Sequence, residues 1–276
     1  MVSAALQQAR AASPGISLEA DSLIGDAASH LIELSGTVGL VVVGSRARGR
    51  RTGLQRDAVG RRVALHAAGP VVVVRGRTDA RGGPVAAGVD SSPRGETVLQ
   101  QAYETADALG CGLRVVHSYS SAMLPWAGTA PPTLGEIGLL EEAERERLYA
   151  LLAPWQDEYP QVDSTLGLSH RNAASALTAA SQLARLLIVG RHGHGAIASA
   201  LLGSTTLSLL RHADCPVLVV HTRVVGCWDS GPTALPGVRL QGDVWPCRRR
   251  CLKRSGGGDC CRRCHEPLSA AGRGTP

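Results

Sequence analysis

Short, continuous apolar runs alternate along this chain with segments of helical periodicity. Pro84 to Val89 is an apolar run that stops at Asp90-Ser91-Ser92-Pro93, a strand-to-turn signal. Glu96 to Leu109 carries apolar residues at helical spacing (Val98, Leu99, Ala102, Ala106, Leu109), and Gly110 follows as a C-terminal cap. Leu113 to His117 predicts a second strand, and Ser118 to Thr133 a loop rich in Pro, Gly and Ser. Leu134 to Ala153 reads as an amphipathic helix whose charged face runs from Glu141 to Arg147. A third strand, Val162 to Leu168, and a helix, Asn172 to Leu183, come next. A fourth strand, Leu186 to Val189, leads into a glycine-rich loop and a helix, Ala200 to His212. Pro216 to Val220 is the fifth strand. Continuously apolar strands alternating with helices predict an α/β fold, with a parallel sheet covered on both faces.

The same pattern occurs twice. Shifted by 146 residues, the sequence matches itself without gaps from about Ser17 to Val74. Ala27-Ala28-Ser29 falls on Ala173-Ala174-Ser175, and Ser35 on Ser181. Leu40 to Gly44 falls on Leu186 to Gly190, His66-Ala67 on His212-Ala213, and Pro70 to Val74 on Pro216 to Val220. The chain therefore reads as a tandem repeat with one complete unit, residues 84–223, and one incomplete unit, residues 1–78. The incomplete unit is expected to begin inside the second helix and to keep the third, fourth and fifth strands. In it the fifth strand can pair with that of the complete unit, or the third strand can drift.

The stretch Leu186 to Ser204 carries the candidate chemistry. An apolar strand stops at Gly190, glycines follow at Gly193 and Gly195, and Gly203-Ser204 precedes a helix. Glycine lets backbone approach an anion closely, and free N–H groups at a helix start point toward it. The reading is a phosphate cradle.

Composition narrows the partners. The chain has 276 residues, 44% of them hydrophobic, and no Phe, so its core is built from Val, Leu, Ile and Ala. The net charge is +6, but nine Lys or Arg against four Asp or Glu lie in residues 224–276, which leaves the body near neutral. That excludes a nucleic-acid-binding body and leaves only weak, salt-sensitive contacts for the tail. Six of the eight cysteines also lie after residue 226, so the body is not built on disulfides. Residues 224–276 lack hydrophobic periodicity and read as a disordered, basic, Cys-rich tail. Its Cys261-Arg262-Arg263-Cys264-His265 string fits a haem-attachment pattern, and Cys247, Cys251, Cys261 and Cys264 could supply four zinc ligands, but no elements frame either site. With neither an apolar span nor a signal pattern, no membrane partner is expected and the location is expected to be cytoplasmic.

The segments Val42 to Arg51 and Ile188 to Thr206, each followed by a helix, His-Ala and a Pro-Val-x-Val-Val strand, resemble the universal stress protein family. Its nucleotide-binding members carry a G-x2-G-x9-G-[ST] loop, met here by Gly190, Gly193, Gly203 and Ser204. The resemblance implies an open five-stranded sheet of the adenine nucleotide alpha-hydrolase-like type. It also implies dimerisation through the last strand, as a homodimer or as pairing within the chain. ATP or another adenine nucleotide would bind across the carboxyl ends of the strands, with no metal beyond magnesium carried in with ATP. Asp90 would lie by the nucleotide, backbone at Val116 or His117 against adenine, and the loop glycines and Ser204 on the phosphates. Asp90 also fits a turn residue or a helix N-cap. His117 also fits a core-edge histidine with a satisfied hydrogen bond, and Arg191, His192 and His194 fit a solvated loop tip. In the first unit Ala47 replaces the second glycine and Asp57-Ala58 replaces Gly-Ser, so no nucleotide is expected there.

Dedicated catalysis is not expected. The body has no lysine, the sole one being Lys253, and no Gly-x4-Gly-Lys-[ST] loop. It also shows no serine–histidine–acid arrangement, no paired carboxylates in a common loop and no metal-ligand cluster. The position after the first strand reads Asp90-Ser91-Ser92-Pro93 rather than the serine–glycine–glycine loop of ATP pyrophosphatases. What remains is an ATP-binding regulatory or protective protein of the stress response. The alternative is a dimerisation or interaction module without nucleotide binding.

Overall fold

The computed structural model describes residues 2–45, 58–77, 82–90, 92–119, 134–191 and 203–221, all within the unit Met1–Val225. The expectations for Ala47, Asp57, Gly193 and residues 224–276 lie outside the described residues. Seven helices are described: α1 (Val2–Ala12), α2 (Ala27–Leu34), α3 (Ala58–His66), α4 (Pro93–Ala108), α5 (Leu134–Glu158), α6 (Ala173–Ser181) and α7 (Ser204–His212). Seven strands alternate with them: β1 (Val41–Gly44), β2 (Val71–Val74), β3 (Val85–Gly88), β4 (Leu113–Ser118), β5 (Ser164–Ser169), β6 (Leu186–Gly190) and β7 (Val217–Val220).

All seven strands form one sheet in the order β1-β2-β7-β6-β3-β4-β5. The five from β7 to β5 are parallel, which is the expected open α/β sheet. One face is covered by α2, α3, α6 and α7 through Val41, Val63, Val71, Val73, Leu177, Leu187 and Leu209. The other is covered by α4 and α5, where Leu99, Tyr103 and Leu152 pack on Val85, Ala87 and Ile188. Tyr103 takes the place of the missing Phe. It is fully buried, lies between Trp155 and Tyr159, and donates its hydroxyl to Ser164 Oγ at 2.9 Å. Gly110 ends α4 with φ +57°, as its cap position requires.

The incomplete unit joins this sheet through β2, which pairs antiparallel with β7. The register is Val71↔Val219, Val72↔Leu218 and Val73↔Val217. At the repeat offset Val72 is the copy of Leu218, so the ladder is centred on a residue paired with its own copy. The flanking contacts recur 146 residues apart. Ser35 Oγ accepts the Ala68 N–H at 2.8 Å, and Ser181 Oγ accepts the Asp214 N–H at 2.9 Å. The side chains of Asp26 and Asn172 cap α2 and α6 by accepting from Ser29 and Ser175. Past the ends of the two paired strands, Arg75 donates to the Leu209 and Arg211 carbonyls of α7, and His221 bonds the Ala64 carbonyl of α3 at 2.9 Å. Side-chain donors thus satisfy carbonyls in the last turns of both helices.

One expectation fails. At the repeat offset, β5 falls on Leu18–Leu23, which forms no strand. In the complete unit β5 is held by a six-residue ladder to β4. No described strand lies beside Leu18–Leu23, so its peptide groups have no ladder to join. The helix before it, α1, has no buried residue. The same gap leaves β1 at the edge of the sheet, where Val42 is 59% exposed while its copy Ile188 is 0% exposed.

If the β2–β7 ladder holds the first unit, Val71→Asp places an unpaired carboxylate between Val41 and Val219. This is expected to lower stability by about 3 kcal/mol or more. Limited proteolysis is expected to cut residues 58–77 readily in V71D and to spare them in the wild type. Equal cleavage of the wild type there, with residues 84–221 intact, contradicts the assignment.

Candidate functional site

The strand order sets where a ligand can enter. From β3 the chain winds outward through β4 and β5, then returns to β6 on the opposite side of β3 and continues to β7. The switch point lies between β3 and β6, and open α/β sheets form a crevice there, beyond the carboxyl ends of the strands. Gly88 pairs with Val189. Continuing that register places Asp90 and Arg191 side by side at the mouth of the crevice.

Asp90 is partly buried just past β3. Its Oδ1 accepts the Ser92 N–H at 3.2 Å and the Ser92 hydroxyl at 2.5 Å, so the turn reading is correct. Its Oδ2 is buried and has no hydrogen-bond partner. The carboxylate therefore shapes the turn with one oxygen and keeps the other for a donor. Ser92, not Asp90, is the N-cap of α4, and its side chain makes no cap bond. The carbonyl of Asp90 rests on Gly95. A Cβ there would lie 2.2 Å from that oxygen, so the first turn of α4 requires glycine at this point. Sequence reasoning missed Gly95, because a lone glycine inside a helix gives no signal of close packing.

Gly190 ends β6, and its carbonyl accepts the Thr206 hydroxyl at 2.9 Å. Arg191 N–H donates to the Val220 carbonyl, and Gly203 N–H donates to the Arg191 carbonyl at 3.0 Å, which closes the neck of the glycine loop. Gly203 is the N-cap of α7, and among the described residues no side chain caps the helix. Ser204 is the first residue of α7 and is exposed. By contrast α6, which starts beyond β5, is capped by Asn172. The two helices following the switch-point strands thus begin without a side-chain cap, while the helix beyond the edge strand has one. Of the six residues expected at the site, Asp90, Gly190, Gly203 and Ser204 come together at this crevice, and Gly193 lies outside the described residues.

Val116 sits lower. Its side chain is buried in the core, and its carbonyl accepts the Val89 N–H at 3.1 Å. Backbone groups on a strand face alternate neighbours, so Ser118, two residues on, turns its peptide to the same side as Val116 at the very end of β4. His117 is buried, with Nδ1 2.8 Å from the Val89 carbonyl and Nε2 3.1 Å from Glu144 Oε1. Beside it, Tyr119 packs on His170, with ring centroids 4.6 Å apart. The Tyr119 hydroxyl lies 2.9 Å from His170 Nε2, and Tyr119 holds the Glu141 carboxyl below its usual range, with His170 and Arg145 acting in the same direction. Desolvation, and then Glu141, pushes the Tyr119 phenol up.

In the first unit the counterpart of Thr206 is Gly60. A Cβ on Gly60 would lie 3.5 Å from the carbonyl of Gly44, itself the counterpart of Gly190. The backbone geometry is repeated, but the hydroxyl that ties helix to strand is absent. Among the described residues no group of three or more His, Cys, Asp or Glu could hold a metal ion. No described helix is long and apolar enough to cross a membrane.

Residues 83–221 match the sequence profile of the universal stress protein family. A universal stress protein of Mycolicibacterium smegmatis is 31% identical over 212 residues, which covers 76% of this chain and 70% of that protein. A universal stress protein of Mycobacterium tuberculosis is 29% identical over 210 residues, covering 75% and 70%. Among solved structures, a universal stress protein from Archaeoglobus fulgidus shares the fold with a TM-score of 0.55, at 18% identity over 80% of this chain and 78% of that one. The profile match, the relatives and the seven-stranded sheet agree, and this chain belongs to the universal stress protein family.

Proposed function

We propose that this protein binds one adenine nucleotide, with ATP the first candidate, in the crevice between β3 and β6, and acts as a nucleotide-dependent regulatory or protective protein of the stress response. The observation that carries the reading is the pairing of the uncapped start of α7 with the partner-free Oδ2 of Asp90 at the switch point. The free N–H groups of α7 and the glycine loop suit a polyphosphate. The carboxylate suits a hydroxyl donor such as a ribose.

On this reading residues 84–223 form the binding domain. Residues 1–78 form a degenerate copy that pairs with it through the last strands and binds nothing. No residue is assigned a catalytic role, and any hydrolysis of ATP is slow. Magnesium enters only with the nucleotide. The protein works in the cytoplasm. The β2–β7 ladder occupies the family's dimerisation edge, so the chain is its own partner at that edge.

Calorimetric titration with ATP, ADP and cyclic AMP tests this. Saturable binding is expected at about one nucleotide per chain; a value near two contradicts the assignment of a single competent unit. Gly193→Val places a branched side chain where the loop must approach phosphate and is expected to abolish binding. Unchanged ATP affinity in G193V sinks the phosphate-loop assignment. No binding of any of the three nucleotides leaves an interaction module as the function.

A further inference from the structure

We propose that His117 is a positioning residue for this crevice: it holds the Val89–Asp90 peptide in place, through a proton kept between its ring and Glu144. The inference rests on the nucleotide reading above and deepens it.

His117 is 5% exposed. Its Nδ1 faces the Val89 carbonyl, which can only accept, so Nδ1 carries a proton. Its Nε2 faces Glu144 Oε1 at 3.1 Å. A neutral ring protonated at Nδ1 would turn a lone pair on Nε2 toward a carboxylate oxygen, and two acceptors at that distance repel. A second proton therefore lies between them, as imidazolium with carboxylate or as imidazole with carboxylic acid. The pair is neutral as a whole in both forms, and both forms keep the bond to Val89.

The Val89 carbonyl belongs to the peptide that joins Val89 to Asp90. Fixing its oxygen fixes the plane of that peptide, and with it the direction in which Asp90 leaves the strand. The contacts run from α5 through Glu144 to β4, then to the end of β3 and the crevice. Among the described residues, the other charged and titratable groups at this end include Asp90 past β3, Glu141, Arg145 and Arg147 on α5, Tyr119 past β4, His170 and Arg171 past β5, and Arg191 past β6. Arg147 approaches Glu144 at 3.6 Å, while Arg145 at 3.0 Å and His170 at 3.4 Å approach Glu141.

ATP affinity of the full chain and nitrogen NMR of the ring without nucleotide test the inference. Glu144→Gln, whose amide N–H donates to Nε2 of a neutral ring, is expected to keep wild-type affinity. His117→Asn keeps a donor for Val89 and is expected to keep it too. His117→Leu is expected to lose about tenfold. The NMR is expected to show Nδ1 protonated. Equal affinity in a folded H117L, a loss in H117N as large as in H117L, or a ring protonated at Nε2 alone overturns the role of His117 and leaves the nucleotide reading standing. If wild type binds no nucleotide, the nucleotide reading falls and the positioning role with it.

Discussion

The antiparallel ladder between β2 and β7 is the interaction on which the rest of this structure depends. Without it β7 would be a sheet edge of four apolar residues with unpaired peptide groups, a template for association. The chain covers that edge with its own copy of the strand. Because the two strands are copies at an offset of 146 residues, antiparallel pairing sets Val72 on Leu218 and places the flanking valines symmetrically. Arg75 and His221 then reach across to α7 and α3, so the seam is closed by helix-end hydrogen bonds as well as by the ladder. The symmetry is local. On the far side of β2, β1 has no neighbour of its own, and Val42 stands exposed where Ile188 in the other copy is buried.

Moving inward from the seam, β7 holds β6 and β6 holds β3, and the site lies where those last two meet. Each crevice contact ties a strand end to the following turn or helix. Asp90 gathers Ser92, the Gly190 carbonyl takes the Thr206 hydroxyl, and Arg191 bridges Val220 and Gly203. These bonds fix the end of β6 against the start of α7 and leave the Oδ2 of Asp90 without a partner.

Much of this was legible in the sequence, because the strands are continuous apolar runs and the repeat doubles the signal. The strand from Leu186 and the cap at Gly110 follow from residue type and spacing. The third strand of the first unit was misread for a physical reason. Leu18–Leu23 has the register of β5, but a strand exists only where a neighbour accepts its hydrogen bonds, and no periodicity reports on the neighbour. Glu144 was read as part of a charged solvent face from Glu141 to Arg147. Helical spacing sets Glu144 on the stripe of the buried Leu148 and Leu152, and there it meets His117. Gly95 was silent because its role is the absence of atoms beside the Asp90 carbonyl.

The two copies show which part of the shared fold each half has kept. The first retains what the seam needs: Ser35 on Ala68, the valines of β2, and a side-chain donor just past its last strand. It has Gly60 where the second has Thr206, and Ala47 and Asp57 where the second has Gly193 and Gly203. The positions that differ belong to the loop and helix start, and the positions that agree belong to the buried sheet and its clasp. Packing constrains the latter from both sides of the ladder, since a change in β2 is felt directly by β7. One half therefore serves as the fixed edge of the sheet, and the other carries the switch point between β3 and β6.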